Sequence, residues 1–299
     1  MSAGTTDGVA SSFEGGAAGV VAPRTGAWRA FARHHLALAA LILFFLIVLL
    51  AALSPVLPLR DPNAQLLTDR LQGPGGAHLL GTDELGRDQL ARILAATRIS
   101  LWAALQATVV GLVLGVPIGL VTGLLGGRLD AVVSRIYDSV QSVPALILAI
   151  AIVAVFGRDL TPAMVAVGIA FAPSFYRVSR AAASTVSSET YVEASRSMGQ
   201  GTTRIVFSHV LGNVMPSLIV QTSTTYAFGI LAEAALSYLG LGVQPPSASL
   251  GSMLTSAANL LNTSPQLTII PGLVIILLVL CVTQVSNALE FVTSDEGLV

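Results

Sequence analysis

Long apolar runs separated by polar connections dominate this chain. The runs are Leu36–Leu53, Leu101–Leu125, Val140–Phe156, Leu160–Tyr176, Val214–Leu239 and Leu267–Phe291. About 20 helical residues cross roughly 30 Å of hydrocarbon, so the longer runs suffice. The period-two alternation of an outer-membrane strand is absent, and an open strand in lipid would leave backbone groups unpaired. The pattern predicts an all-α polytopic membrane bundle of six transmembrane helices. Leu160–Tyr176 fits least well, being short, holding Pro162 and Pro173, and running straight into Arg177 and Arg180. The expected order is a disordered cytoplasmic tail at 1–35, a first transmembrane helix at 36–57 and an external segment at 58–99. A membrane core at 100–292 and a cytoplasmic tail at 293–299 complete it.

One long polar segment, at 188–212, interrupts the core between the fourth and fifth runs. Thr190 and Glu193 fit a capping box, in which the hydroxyl accepts from the Glu193 amide and the carboxylate accepts from the Thr190 amide. Tyr191, Ala194, Ser195 and Met198 follow at spacings of three and four, which places them on one helical face. Gly199 suits a helix end, Gly201 loosens the turn, and Thr202 or Thr203 can cap a second helix. The reading is a helix, a turn and a second helix leading into the fifth run. Its apolar face is narrow and carries no Trp or Lys anchor, which favours a docking element over a helix lying in the membrane surface.

Composition narrows the function classes. Apolar residues make up 54% of the chain and charged residues 10%, against about 25% charged in a soluble domain. A net charge of −1 offers no basic face for nucleic acid. All 15 basic residues are Arg. Without Lys there is neither a Walker A loop nor a Schiff base, so any ATP that drives this protein is hydrolysed by another chain. Cys281 has no second cysteine to pair with, and His34, His35, His78 and His209 show no ligand spacing. No catalytic, cofactor or metal constellation emerges. The first run is too long and too far from the N-terminus for a cleaved signal peptide.

Arg bias near the run ends sets orientation. With the N-terminus inside, Arg24, Arg29, Arg33, Arg128, Arg135, Arg177, Arg180, Arg196 and Arg204 are cytoplasmic. Arg60, Arg70, Arg87, Arg92, Arg98 and Arg158 are external. Both termini and the polar segment then lie in the cytosol.

Gly111, Gly115, Gly119 and Gly123 form a ladder along the second run. In lipid such a stripe lets two backbones approach closely, so it predicts a helix–helix seam. Pro117, Pro144, Pro173, Pro216 and Pro271 put one proline in or near each later run. Glu233 is the acidic residue well inside a run, which makes it a candidate pathway residue or an internally bonded one. Asp138 and Glu290 sit near run ends. In the external segment, Gly81-Thr82-Asp83 predicts a turn or cap, and Glu84, Asp88 and Arg92 stand at helical ion-pair spacing.

Three stretches together resemble the permease subunits of ATP-binding-cassette importers of the peptide-uptake branch. Glu193-Ala194-Ser195 with Gly199 resembles their cytoplasmic EAA loop. His78 through Gly81-Thr-Asp-Glu-Leu-Gly-Arg-Asp88 resembles the signature ahead of the second span in one of the two permease types. Leu236-Ser-Tyr-Leu-Gly-Leu-Gly-Val-Gln-Pro-Pro246 resembles the segment after the fifth. Ser195 stands where the second Ala is usual, Gly212 where Pro is frequent, and Leu250 where Trp is frequent. The resemblance implies a subunit of the plasma (inner) membrane that forms half of a pore with a second homologous permease. It implies two ATPase subunits, which hold the ATP and Mg, and an external solute-binding protein. The 188–212 helices are then coupling helices, with Tyr191, Glu193, Ala194, Ser195, Met198 and Gly199 facing the ATPase. Related permeases also carry nickel chelates. From other classes, an ion-gradient-driven carrier would show inverted repeats and a mid-membrane ionisable pair, and a membrane anchor without transport also remains.

Overall fold

A computed structural model describes residues 35–187, 189–190, 197–198 and 210–293. These residues form eight α-helices and no strand. They are α1 (His35–Leu53), α2 (Gln89–Leu125), α3 (Gly127–Gln141), α4 (Ala145–Phe156), α5 (Leu160–Ser187), α6 (Leu211–Tyr238), α7 (Leu250–Ala257) and α8 (Gln266–Thr293). By length and apolarity alone α1, α2 and most of α8 can cross a membrane, and α3 with α4 can serve as a fourth, bent span. α5 and α6 each run 28 residues but carry more polar groups and bury much of their surface against the other helices.

The structure corrects the sequence reading in three places. The third apolar run is not one helix over Val140–Phe156. α3 and α4 meet at 82°, and Pro144, in an extended conformation, stands at the break. Proline has no N–H to continue α3 and is well placed to start α4. The second helix begins at Gln89 rather than Leu101, because Asp88 caps it: its Oδ1 accepts from the Ala91 amide at 2.9 Å. The fourth helix does not stop near Tyr176. α5 continues unbroken through Pro173 to Ser187, held by its packing along α2.

Three clusters organise the core. α2 joins α6, α7 and α8 around Ile93, Ile230, Leu250 and Leu278. Leu250 is fully buried there at the start of α7. The other end of α2, at Val116, Leu120 and Leu124, meets the last turns of α5 and the first turns of α6. A third cluster joins α4 and α5 to α2 and α6. α1 lies outside, packed on α8 through Ala37 and Ala288. Polar bonds also tie neighbouring helices: Thr224 to Ser286 at 2.9 Å, and the Tyr226 hydroxyl donating to the Leu101 carbonyl at 3.1 Å.

Candidate functional site

The glycines of α2 lie against α5. A methyl built on Gly115 would sit 2.5 Å from the Ala172 carbonyl, and one on Gly119 2.5 Å from the Tyr176 carbonyl. Gly111 meets Phe171 and Gly168, and Gly123 meets the Arg180 carbonyl. From the other side, Gly168 of α5 packs on Val110 and Ala107. Two backbones therefore run in contact over four turns, which fixes α5 to α2 as one body.

A polar node closes the seam at its Gly123 end. Tyr176 stacks on Tyr137 of α3 with ring centroids 4.1 Å apart, and its hydroxyl meets Ser134 at 2.9 Å and Thr122 at 3.3 Å. Arg180 makes a two-pronged pair with Asp130, its Nη2 donating to Oδ2 at 2.5 Å. The Tyr137 hydroxyl donates to the Leu114 carbonyl at 2.7 Å. Sequence reasoning missed this node, since fifty positions separate Asp130 from Arg180 and no local period links them.

The polar segment starts and ends beside that node. Val186 of α5 and Val210, which precedes α6, belong to the cluster built on Leu120 and Leu124. The described residues that flank the segment, Val186 and Val210, therefore lie together. Tyr191, Glu193, Ala194, Ser195 and Gly199 lie outside the described residues, while Met198 is exposed.

At the opposite end of α2 the predicted turn is a compact folded unit. Thr82 bridges Asp88, and Asp83 gathers the turn: Oδ1 accepts from the amides of Leu85 at 2.9 Å and Arg87 at 3.0 Å. Its Oδ2 pairs with Arg87 Nε at 2.6 Å and Arg92 Nε at 3.5 Å. Gly86 has φ +71°, and a side chain there would collide with the Leu66 carbonyl, so glycine is required twice over. His78 is buried between Asp88 at 2.9 Å and Asp69 at 3.4 Å. This replaces the expected Glu84–Asp88–Arg92 ladder: residues 84–88 are not helical, and Asp83 is the carboxylate that Arg92 meets. Asp83→Ala is expected to take the carboxylate from the buried Arg87 and leave Arg92 with its bond to the Pro62 carbonyl, at a cost of about 3–5 kcal/mol, read as a lower midpoint of thermal unfolding for the detergent-solubilised protein.

Glu233 is fully buried in α6. Gly229 beside it approaches Ala104 of α2, and the Ala234 carbonyl lies against Gly251 of α7. Oε1 accepts from the Ser237 hydroxyl at 2.6 Å, and Oε2 has no partner among the described residues. Ser237 in turn accepts from the Val243 amide at 3.5 Å. The helix ends there in a Schellman motif: Gly240, at φ +75°, donates to Ser237 and Leu241 donates to Leu236, with Leu236 and Leu241 in one cluster. The Leu236–Pro246 signature is thus a helix stop braced by a buried carboxyl. Glu233→Gln, which keeps an acceptor for Ser237, is expected to leave thermal stability nearly unchanged. Glu233→Ala is expected to lose about 1–3 kcal/mol in the same assay.

No group of three or more His, Cys, Asp or Glu side chains able to hold a metal occurs among the described residues. Cys281 is buried and unpaired by disulfide.

Residues 115–292 match the family described as binding-protein-dependent transport system inner membrane component. Residues 23–74 match the N-terminal transmembrane domain of oligopeptide transport permease C. A di/tripeptide transport system permease protein of Pseudomonas aeruginosa is 39% identical over 269 residues, 88% of this chain and 89% of that protein. A glutathione transport system permease protein of Pectobacterium atrosepticum is 38% identical, with 88% of each chain covered. Among solved structures, an inward-facing methionine ABC transporter chain superposes with a TM-score of 0.56 at 20% identity, covering 69% of this chain and 98% of that one.

Proposed function

This chain belongs to the family of binding-protein-dependent transport system inner membrane components, and from that membership we propose that it is one permease subunit of an ATP-driven importer of short peptides. The observation that carries the reading is the match to peptide permeases at 34–39% identity along most of the chain. The glutathione relative suits the same cargo class, since glutathione is itself a tripeptide.

In this reading all six apolar runs cross the plasma (inner) membrane, with α5 and α6 crossing as the polar, buried members of the bundle. Both termini face the cytosol. A second, homologous permease completes the pore, two ATPase subunits bind ATP with Mg, and an external binding protein delivers the peptide. This chain hydrolyses nothing. Residues 188–212 dock on an ATPase subunit through Tyr191, Glu193, Ala194, Ser195, Met198 and Gly199. What supports the coupling is the common anchor of that segment at Val186 and Val210, on the end of the α2–α5 seam. Force applied there meets two helices joined backbone to backbone, so it tilts them as a body rather than bending a loop. Glu233, enclosed by α2, α6 and α7, braces the far end of α6 instead of lining an open path.

Reconstitution tests this. Vesicles holding this chain, its companion permease and the ATPases, with binding protein outside, are expected to take up labelled dipeptide only when ATP is inside. Uptake by this chain alone, or uptake that follows an ion gradient without ATP, would overturn the reading.

A further inference from the structure

We infer that α1, α2, α6 and α8 enclose a binding site for one phospholipid, held by its phosphate on Arg98 with an acyl chain along α1. The four helices leave an open groove of about 490 Å³. Its α1 wall runs from Leu41 to Ala52, about 16 Å of helix at 1.5 Å per residue. That is roughly half of a 30 Å hydrocarbon layer, the depth of a single leaflet.

The chemistry of the lining selects an amphiphilic anion. Every hydroxyl on the groove is already satisfied by backbone: Thr108 donates to Ala104, Thr222 to Leu218, Ser223 to Ile219 and Tyr226 to Leu101. The walls therefore behave as apolar surface along their whole length. Arg98 is the charged residue of the lining. It is exposed, and it forms no ion pair among the described residues. It also borders a second, smaller pocket shared with Pro62, Asn63 and Ser247 of the polar connections. Arg98 thus stands at the boundary between the polar end of the bundle and the groove. Trp102, one turn further along α2 and 67% exposed, is of the residue type enriched at membrane–water interfaces. A cation at the rim, an indole below it and a leaflet-deep apolar channel match a phospholipid from headgroup to chain end. A soluble anion would leave the channel empty, and a neutral hydrocarbon would leave Arg98 unpaired.

The test places a photoreactive benzoylphenylalanine at Phe45, which lines the groove and is 61% exposed. The assembled transporter is irradiated in its native membrane, and adducts are identified by mass spectrometry. The inference predicts phospholipid adducts on this chain. Their yield falls roughly five-fold in Arg98→Gln, the effect of losing one interfacial cation, and is largely kept in Arg98→Lys. Adducts with protein alone would mean that another subunit covers the groove and would overturn the inference. Phospholipid adducts whose yield ignores Arg98→Gln would overturn it too. Neither outcome touches the peptide-import reading, because the experiment does not measure transport.

Discussion

Gly119→Leu is expected to prevent recovery of the folded protein. The added Cβ falls 2.5 Å from the Tyr176 carbonyl and 2.9 Å from the Ser179 Cβ, so it meets α5 backbone rather than a side chain that could rotate away. Overpacking a close-fitted interior costs typically about 1–3 kcal/mol, and more where backbone must move. Beyond that Cβ, Leu adds an isopropyl group to a seam where the backbones already touch. Separating α5 from α2 also pulls Tyr176 and Arg180 off Tyr137 and Asp130, so the loss spreads to the node that anchors the polar segment. Size-exclusion profiles of solubilised protein should show aggregate in place of a single peak. Gly115→Ala is expected to give a weaker form of the same defect. Gly212→Ala is the control: among the described residues nothing lies within 4 Å of the added atom, and its profile should match that of the parent protein. A monodisperse, thermally unchanged Gly119→Leu protein would contradict the packing.

Glu193→Lys is expected to abolish peptide uptake while the chain remains inserted and folded. In the proposed docking helix the carboxylate closes the capping box with Thr190, and Lys cannot accept that amide bond. A positive charge in the first turn also opposes the helix dipole. Gly199→Pro should have the same consequence by removing the residue that ends the helix. Uptake should fall to background, while ATP hydrolysis by the partner subunits no longer responds to loaded binding protein. Normal uptake at normal expression in either variant would remove the docking assignment. The two experiments separate cleanly, since the seam variant loses the fold and the docking variants lose only its use.

How much of this could be read from the residues depends on the range of the interaction. The glycine spacing along α2 is visible because four residues make one turn, but nothing local names α5 as the helix it meets. Asp88 reads as a rung of an ion-pair ladder and instead caps α2, while Gly81 as a turn former is a short-range feature of composition. The choice of Asp83 rather than Glu84 as the carboxylate for Arg92 is not, because it depends on a turn that folds residues 82–88 back on themselves. The break at Pro144 was legible as a proline, yet its 82° consequence depends on how α4 packs on α5. α5 reads as short because Pro162, Pro173, Arg177 and Arg180 each count against a longer span when taken singly, whereas it runs unbroken to Ser187. Ser179 and Tyr176 are buried, and their bonds run to the Phe175 carbonyl and to Ser134. Asp130–Arg180 and Glu233–Ser237 show the two extremes: the first joins distant helices and left no trace in the pattern, whereas the second sits at one-turn spacing within α6.

The most direct test of the account joins the polar segment to its motor. Ser195→Cys, with Cys281→Ala removing the native thiol, is treated with a short thiol-to-amine crosslinker in membranes carrying the whole transporter. The account predicts a covalent adduct between this chain and an ATP-hydrolysing subunit, with a yield that changes when ATP is bound. Reaction only with lipid or with the second permease, in both nucleotide states, would contradict it.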